Sequence, residues 1–426
     1  MRDFRGQHRR SDRCSIECLL TGMSGACTTI GRRVGSIHPA RGVLPIAAAA
    51  MREGVSGILL PVSNASEAAI VTGLMIFPVS SLGEAVEALN NPSSVSLRPR
   101  PLPPAASRFL TEGADLADVR GQLLARRAIE IACAGGHNLL VVGPPGAGKT
   151  MMARRVPGIL PPLTFDEAVD VTTVHSVAGL LPAGTGLVAQ RPFRAPHHTI
   201  SDAALVGGGS RPRPGEVSLA HHGVLFLDEM PEFGRHVLEV LRQPLEEGAV
   251  TIARAARTDV FPARFMLVGA MNPCPCGYLG DAARPCRCTP QQIERYRARL
   301  SGPLRDRLDL TVEVPALPPD VLVAGAPGES SADVRARVVA ARERQCQRYA
   351  RDGLRMNAEL TPALMSRHCA LDPHAARLLS AVAVRMALSA RGYDRVRKVA
   401  RTIADLAGAE SIASDHVAEA LQFRMP

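Results

Sequence analysis

The chain has 426 residues, 46% apolar and 21% charged, which excludes a largely disordered polymer and leaves material for two to four domains. Its most apolar region, near Ile58 to Val79, is broken by Asn64, Glu67 and Pro78, and the Arg-rich start has no apolar core or cleavage site. Neither a membrane span nor a secretory leader is expected, and the reading is cytoplasmic. The net charge of +10 favours polyanions, yet only Lys149 and Lys398 are lysines among 50 basic residues, a bias that makes each lysine informative.

In chain order, residues 1–35 show no clean periodicity. Helix is expected over Gly42 to Met51, strand over Gly57 to Pro61, helix over Ser66 to Thr72, strand over Met75 to Pro78 and helix over Leu82 to Leu89, which together make a small α/β unit. Residues 91–114 are rich in proline and serine and read as a linker. An α/β block follows over 115–314, then a Pro/Gly-rich connector over 315–331 and a helical segment over 332–426. There is no sign of an internal repeat.

Asn138 to Val142 is an apolar run that leads into Gly143-Pro144-Pro145-Gly146-Ala147-Gly148-Lys149-Thr150 and a helix-like segment. This is the strand–loop–helix setting in which glycines turn backbone N–H groups onto phosphates. Lys149 is expected on the β/γ-phosphates, and the Thr150 hydroxyl on Mg²⁺. A second apolar strand, from Gly223, ends in Asp228-Glu229. At the carboxyl end of a parallel strand, Asp228 completes the Mg²⁺ shell and Glu229 activates the attacking water. A third strand, Phe265 to Ala270, ends near Asn272, which either reaches the γ-phosphate or forms a turn before Pro273.

These three strands in this order resemble an AAA+ ATPase. Arg191-Pro-Phe-Arg-Ala-Pro-His-His-Thr-Ile-Ser201, Phe226-Leu-Asp-Glu-Met-Pro-Glu-Phe233, Asn272-Pro-Cys-Pro-Cys-Gly277, Ser301-Gly-Pro-Leu-Arg-Asp-Arg-Leu-Asp309 and Arg401-Thr-Ile-Ala-Asp-Leu406 narrow the likeness. Over residues 36–424 the chain resembles the bacterial magnesium-chelatase-like ATPases of the YifB/ComM (competence protein) family. The resemblance implies an AAA+ core with a parallel sheet, a helical lid, and a hexameric, ATP-driven motor for DNA branch migration in recombination and natural transformation. It makes Asn272 the first sensor, Arg307 the arginine finger (with Arg305 as the alternative) and Arg391 the second sensor. Residues 36–90 resemble only the last third of the family's Lon-like domain. A truncated or misassigned start is therefore expected, and no peptidase activity, since no Ser–Lys pair remains.

Ala249 to Ala253 and Thr258 to Pro262 read as two strands around Arg254 and Arg257, which would grip DNA phosphates independently of sequence. Arg194, His197 and His198 are candidates for a second pore insertion. Aromatic residues make up only 3%, which argues against base stacking as the main grip. Cys274, Cys276, Cys286 and Cys288 form a C-x-C…C-x-C set suited either to structural Zn²⁺ or to reduced thiols. His221 and His222 read as structural. The expected cofactors are ATP and Mg²⁺, with Zn²⁺ a candidate, and the expected partners are single-stranded or branched DNA, recombination proteins and further copies of the chain. A protein-remodelling motor of chelatase type, or an inactive remnant, is the alternative.

Overall fold

The computed structural model describes residues 37–90, 114–182, 186–208, 212–254, 257–281, 284–318 and 327–424. The unmatched segment 1–35 and nearly all of the 91–114 linker lie outside them. The chain divides into two compact units, one of residues 1–108 with 164–189, the other of 109–163 with 190–426.

In the first unit, strand β1 (Gly57–Pro61) pairs in parallel with β2 (Met75–Val79), Gly57 opposite Met75. Helix Val43–Arg52 buries Val43, Leu44, Ala47 and Ala50, the spacing of a one-sided apolar stripe. The helix expected over Ser66 to Thr72 is realised only as Ala65–Ala68, because the chain turns towards Gly73, whose φ of 92° no helix accommodates. Glu67 is buried and accepts from the Leu44 amide (2.9 Å), the Asn64 amide group (3.2 Å) and the Ser176 hydroxyl, so this carboxylate is a satisfied polar hub. Ser176 belongs to helix Phe165–Ala178, opened by a Thr164/Glu167 capping box. That helix packs in the first unit, although the sequence places it inside the 115–314 block.

The second unit is built on a sheet of strands β3 (Leu139–Val142), β4 (Phe193–Arg194), β7 (Val224–Leu227), β10 (Met266–Met271) and β11 (Leu310–Glu313). Between β4 and β7 lies a short pair, β5 (Gly207–Gly208) with β6 (Arg213–Pro214). Between β7 and β10, β8 (Ala249–Arg254) and β9 (Arg257–Pro262) form an antiparallel hairpin. The main sheet is parallel throughout, in the order β11-β3-β10-β7-β4. Every residue of β3, β7 and β10 is buried, as an apolar run covered on both faces requires. The register sets Met271 opposite Val142 and Gly269 opposite Leu227, which brings the carboxyl ends of β3, β10 and β7 to one level. Ligands bind at such an edge.

Helices Ser331–Arg348, Pro373–Arg385, Ala390–Leu406 and Ser414–Gln422 form the C-terminal bundle. Its interior holds Arg401, 2% exposed, which donates to the carbonyls of Glu410 (2.6 Å) and Ala409 (2.5 Å) and to Asp405 (3.1 Å). Arg348 and Asn357 donate to the same Asp405 carboxylate, so the buried charges are paired. Among the described residues no helix is long and apolar enough to cross a membrane.

Candidate functional site

The loop after β3 turns through Gly146 (φ 80°) and Gly148 (φ 88°), left-handed positions open to glycine. Gly143, Ala147 and Lys149 are buried, while Pro145 and Gly146 are exposed at the rim and Pro144 lies between. The Lys149 ammonium donates to the carbonyls of Gly143 (2.6 Å) and Pro144 (2.9 Å) and to Oδ1 of Asn272 (3.1 Å). All three of its donors are thus used within the loop and its neighbour strand. Burial lowers its pKa, against the opposing pull of Asp228 and Glu229. The bond to Lys149 puts the Asn272 side chain in the site rather than leaving it only a turn former.

Thr150 donates its hydroxyl to Oδ2 of Asp228 at 2.6 Å, and the Glu229 amide donates to Oδ1 of Asp228 at 3.0 Å. A hydroxyl and a carboxylate meeting beside a phosphate cradle are the hard oxygen donors Mg²⁺ takes, so these residues fit that ion. Glu229 has φ 49°, an uncommon conformation for a side-chain-bearing residue, and its carboxylate is exposed. Asn272 also makes a backbone hydrogen bond with Tyr296, whose phenol burial pushes up to about 12.

Arg194 and His198, candidates for the second pore insertion, both have partners within the chain. Arg194 is forked onto Glu216 by two 2.7 Å bonds, so its guanidinium is committed within the chain. His198 lies at the nucleotide edge: its Nδ1 is 3.8 Å from Oε2 of Glu229, and its ring meets Phe233 edge-on. His197 stacks on His198 and hydrogen-bonds Thr199. In the hairpin, Arg254 and Arg257 are the last paired positions before the tip.

Arg307 and Arg391 form a second group. Arg307 is ion-paired with Glu246, and burial, with Arg391, Arg242 and Arg395 nearby, lowers its pKa. Arg391 is exposed in the first turn of helix Ala390–Leu406. Among the described residues neither arginine bonds to Lys149, Thr150 or Asp228. Sequence reasoning missed Arg395, which clamps the 305–308 segment to helix Ala390–Leu406 through Asp306 (3.0 Å) and the carbonyls of Leu308 (2.8 Å) and Arg305 (3.2 Å). Its one signal is its place one turn after Arg391. Asn138 was also missed. Its side chain donates to the Arg307 carbonyl (2.8 Å) and accepts from the Leu267 amide (2.8 Å), tying that segment to β10.

The four cysteine sulfurs all lie within 4.8 Å of one another. Cys274–Cys276, Cys276–Cys286 and Cys274–Cys286 are 3.4, 3.6 and 3.7 Å apart, and all four cysteines are free. A tetrahedral zinc–thiolate site has sulfur–sulfur edges of about 3.8 Å, from Zn–S bonds of about 2.3 Å. The donor set therefore fits zinc.

Residues 115–322 match the family model described as magnesium chelatase, subunit ChlI, and residues 328–424 match that of its C-terminal domain. An uncharacterized protein of Mycobacterium tuberculosis is 46% identical over 391 residues, 92% of this chain and 76% of the relative. Competence protein ComM of Haemophilus influenzae is 44% identical over 392 residues, and the uncharacterized protein YifB of Escherichia coli 43% over 392; each alignment spans 92% of this chain and 75% of the relative. A P-loop lysine, a hydroxyl–carboxylate pair and a third-strand asparagine at one edge of a parallel sheet, with likeness along nine-tenths of the chain, lead to one conclusion. The chain belongs to the magnesium-chelatase-like AAA+ ATPases of the YifB/ComM family, enzymes that use ATP and Mg²⁺.

Proposed function

We propose that this ATPase works as a ring, a hexamer by family resemblance, that moves single-stranded or branched DNA and promotes branch migration in recombination or natural transformation. The observation that carries the reading is the β8–β9 hairpin, inserted between the Asp228 strand and the Asn272 strand and carrying Arg254 and Arg257 at its last rungs. Basic residues there would hold phosphates without reading bases. A 44% identical relative bears the name competence protein, which is consistent with work on DNA.

In this reading Lys149 and the 143–150 loop hold the triphosphate, and Thr150 and Asp228 hold Mg²⁺. Glu229 takes the proton of the attacking water, and Asn272 orients that water. Arg307 exchanges Glu246 for the phosphate of a neighbouring subunit, and Arg391 closes the lid over the nucleotide. The core spans 115–314, the lid 332–426, and 36–90 is the partial Lon-like domain. Cys274, Cys276, Cys286 and Cys288 hold a structural zinc ion, with no position left open for catalysis.

The test is migration of a synthetic four-way junction by the purified ring with ATP. Wild type should migrate it, and an Arg254→Ala/Arg257→Ala double variant should fail while still binding ATP. Absence of migration and of DNA binding at low salt, with ATPase intact, would favour the protein-remodelling motor to which the chelatase model points.

A further inference from the structure

The last residue of β10 and the loop that follows it meet the P-loop at three points. The Gly143 amide donates to the Met271 carbonyl at 3.1 Å. Lys149 donates to Oδ1 of Asn272 at 3.1 Å. Gly277, at φ 85°, lies flat against Pro145: a Cβ placed there would stand 2.6 Å from Pro145 Cδ and 2.9 Å from Cγ. Only glycine allows that approach. Cys274 and Cys276 lie between the second attachment and the third, and the Gly277 amide closes the knuckle onto the Cys274 carbonyl at 3.0 Å. The other two thiols come from Cys286 and Cys288, after an excursion through Tyr278, Asp281 and Arg284. Among the described residues there, Arg284 donates to the Tyr278 hydroxyl (2.9 Å) and its amide to Asp281 (3.0 Å), and the Asp281 amide donates to the Tyr278 carbonyl (3.2 Å).

We infer that the four-cysteine site is a pin for the phosphate loop, so that zinc held by Cys274, Cys276, Cys286 and Cys288 and nucleotide held by the 143–150 loop bind with positive coupling. This rests on the reading of the four thiols as zinc ligands. Thiols at 3.4 to 3.7 Å without a bridging cation hold each other weakly, whereas four metal bonds fix both ends of the excursion. The fixed knuckle in turn fixes Pro145 through Gly277 and Asn272 through Pro273. Without the metal, the same backbone is free to draw Asn272 and Pro145 away from the positions that receive phosphate. Coupling of binding is reciprocal: if zinc strengthens nucleotide binding, nucleotide strengthens zinc binding by the same factor at equilibrium.

The experiment uses the full chain, purified without added metal. Zinc content is measured by elemental analysis, and zinc transfer to a zinc-selective chromogenic chelator is followed with and without ADP in excess magnesium. ADP affinity is measured before and after zinc is stripped, and again in Gly277→Ala, which keeps all four thiols. The expected results are one zinc per chain, slower zinc transfer when ADP is present, and ADP binding about tenfold weaker after stripping, within the range usual for coupled sites. Gly277→Ala should keep its zinc and still bind ADP more weakly. A chain that neither carries zinc nor takes it up on titration overturns the zinc reading itself. A chain that carries zinc, yet loses it at one rate with or without ADP and binds ADP equally well once stripped, overturns the coupling alone. If stripping unfolds the chain, the transfer rates of the native protein decide.

Discussion

The hydroxyl of Thr150 donates to the carboxylate of Asp228 across 2.6 Å, joining the loop after one strand to the end of another 78 positions away. These are the two oxygens that would bind one Mg²⁺. Asp228→Asn removes the pair's one negative charge while nearly preserving its shape. It should leave nucleotide binding measurable and abolish magnesium-dependent hydrolysis, read by phosphate release across a magnesium titration. Lys149→Ala should weaken ATP binding itself, since Lys149 is the loop's one lysine.

Glu229 lies at the end of the Asp228 strand and faces His198 at 3.8 Å. A residue whose work is proton transfer affects turnover more than binding. Glu229→Gln should retain ATP and reduce hydrolysis by roughly 10²–10⁴-fold, the usual worth of a general base. A single-turnover assay beside equilibrium ATP binding separates the two effects, and normal turnover in this variant would remove Glu229 from the role.

If Arg254 and Arg257 contact phosphates, their removal lowers the number of counterions released on binding. The double alanine variant should reduce the slope of log affinity against log salt by roughly two on duplex DNA, about equally for unrelated sequences. Affinity titrations between low and physiological salt, on two sequences, check both statements. A loss confined to one sequence would point to base reading instead.

His221 is buried, and its Nδ1 accepts the Arg264 amide at 3.0 Å. Burial, with His222 and Arg264 beside it, lowers its pKa to about 3. An unfolded histidine takes its proton near ~6.5. Between these values the unfolded chain binds the extra proton. The stability contribution is therefore complete above ~6.5 and is lost as the pH falls towards 3, by an amount on the order of a few kcal/mol. Urea melts at several pH values should show this slope, and His221→Gln should flatten it.

Arg401 is the lid's buried cation, and Asp405 accepts from Arg401, Arg348 and Asn357 together. Arg401→Met leaves part of that carboxylate unpaired and should cost roughly 3–5 kcal/mol, the usual cost of breaking a buried pair. Thermal melting would register it as loss of the lid, which packs on helix Leu123–Gly135.

What the sequence made legible and what it hid divide along physical lines. The strands at 139–142 and 224–227, the phosphate loop and the carboxylates after the second strand are local patterns of apolar runs, glycines and one lysine, readable without tertiary knowledge. The cysteine set was equally visible, because its spacing carries the chemistry. The fate of single arginines was not legible. Arg194 meets Glu216, 22 positions on, and Arg307 meets Glu246 across the fold, and nothing local marks either partner. Arg401 reads as an ordinary helical arginine, and its burial depends on carbonyls freed at a helix end by Ala409 and Glu410. Helix Phe165–Ala178 has a legible cap at Thr164, yet its membership of the first unit depends on Ser176 meeting the buried Glu67. Pairings of this kind are decided by tertiary packing, not by propensity.

The most direct test of the central claim is the steady-state ATPase rate of the assembled protein at low salt, titrated with single-stranded, duplex and branched DNA. The account predicts a magnesium-dependent basal rate that rises with DNA, most on branched substrates, and that vanishes in Asp228→Asn. A rate indifferent to all three DNAs, in a protein that also fails to bind them, would contradict it.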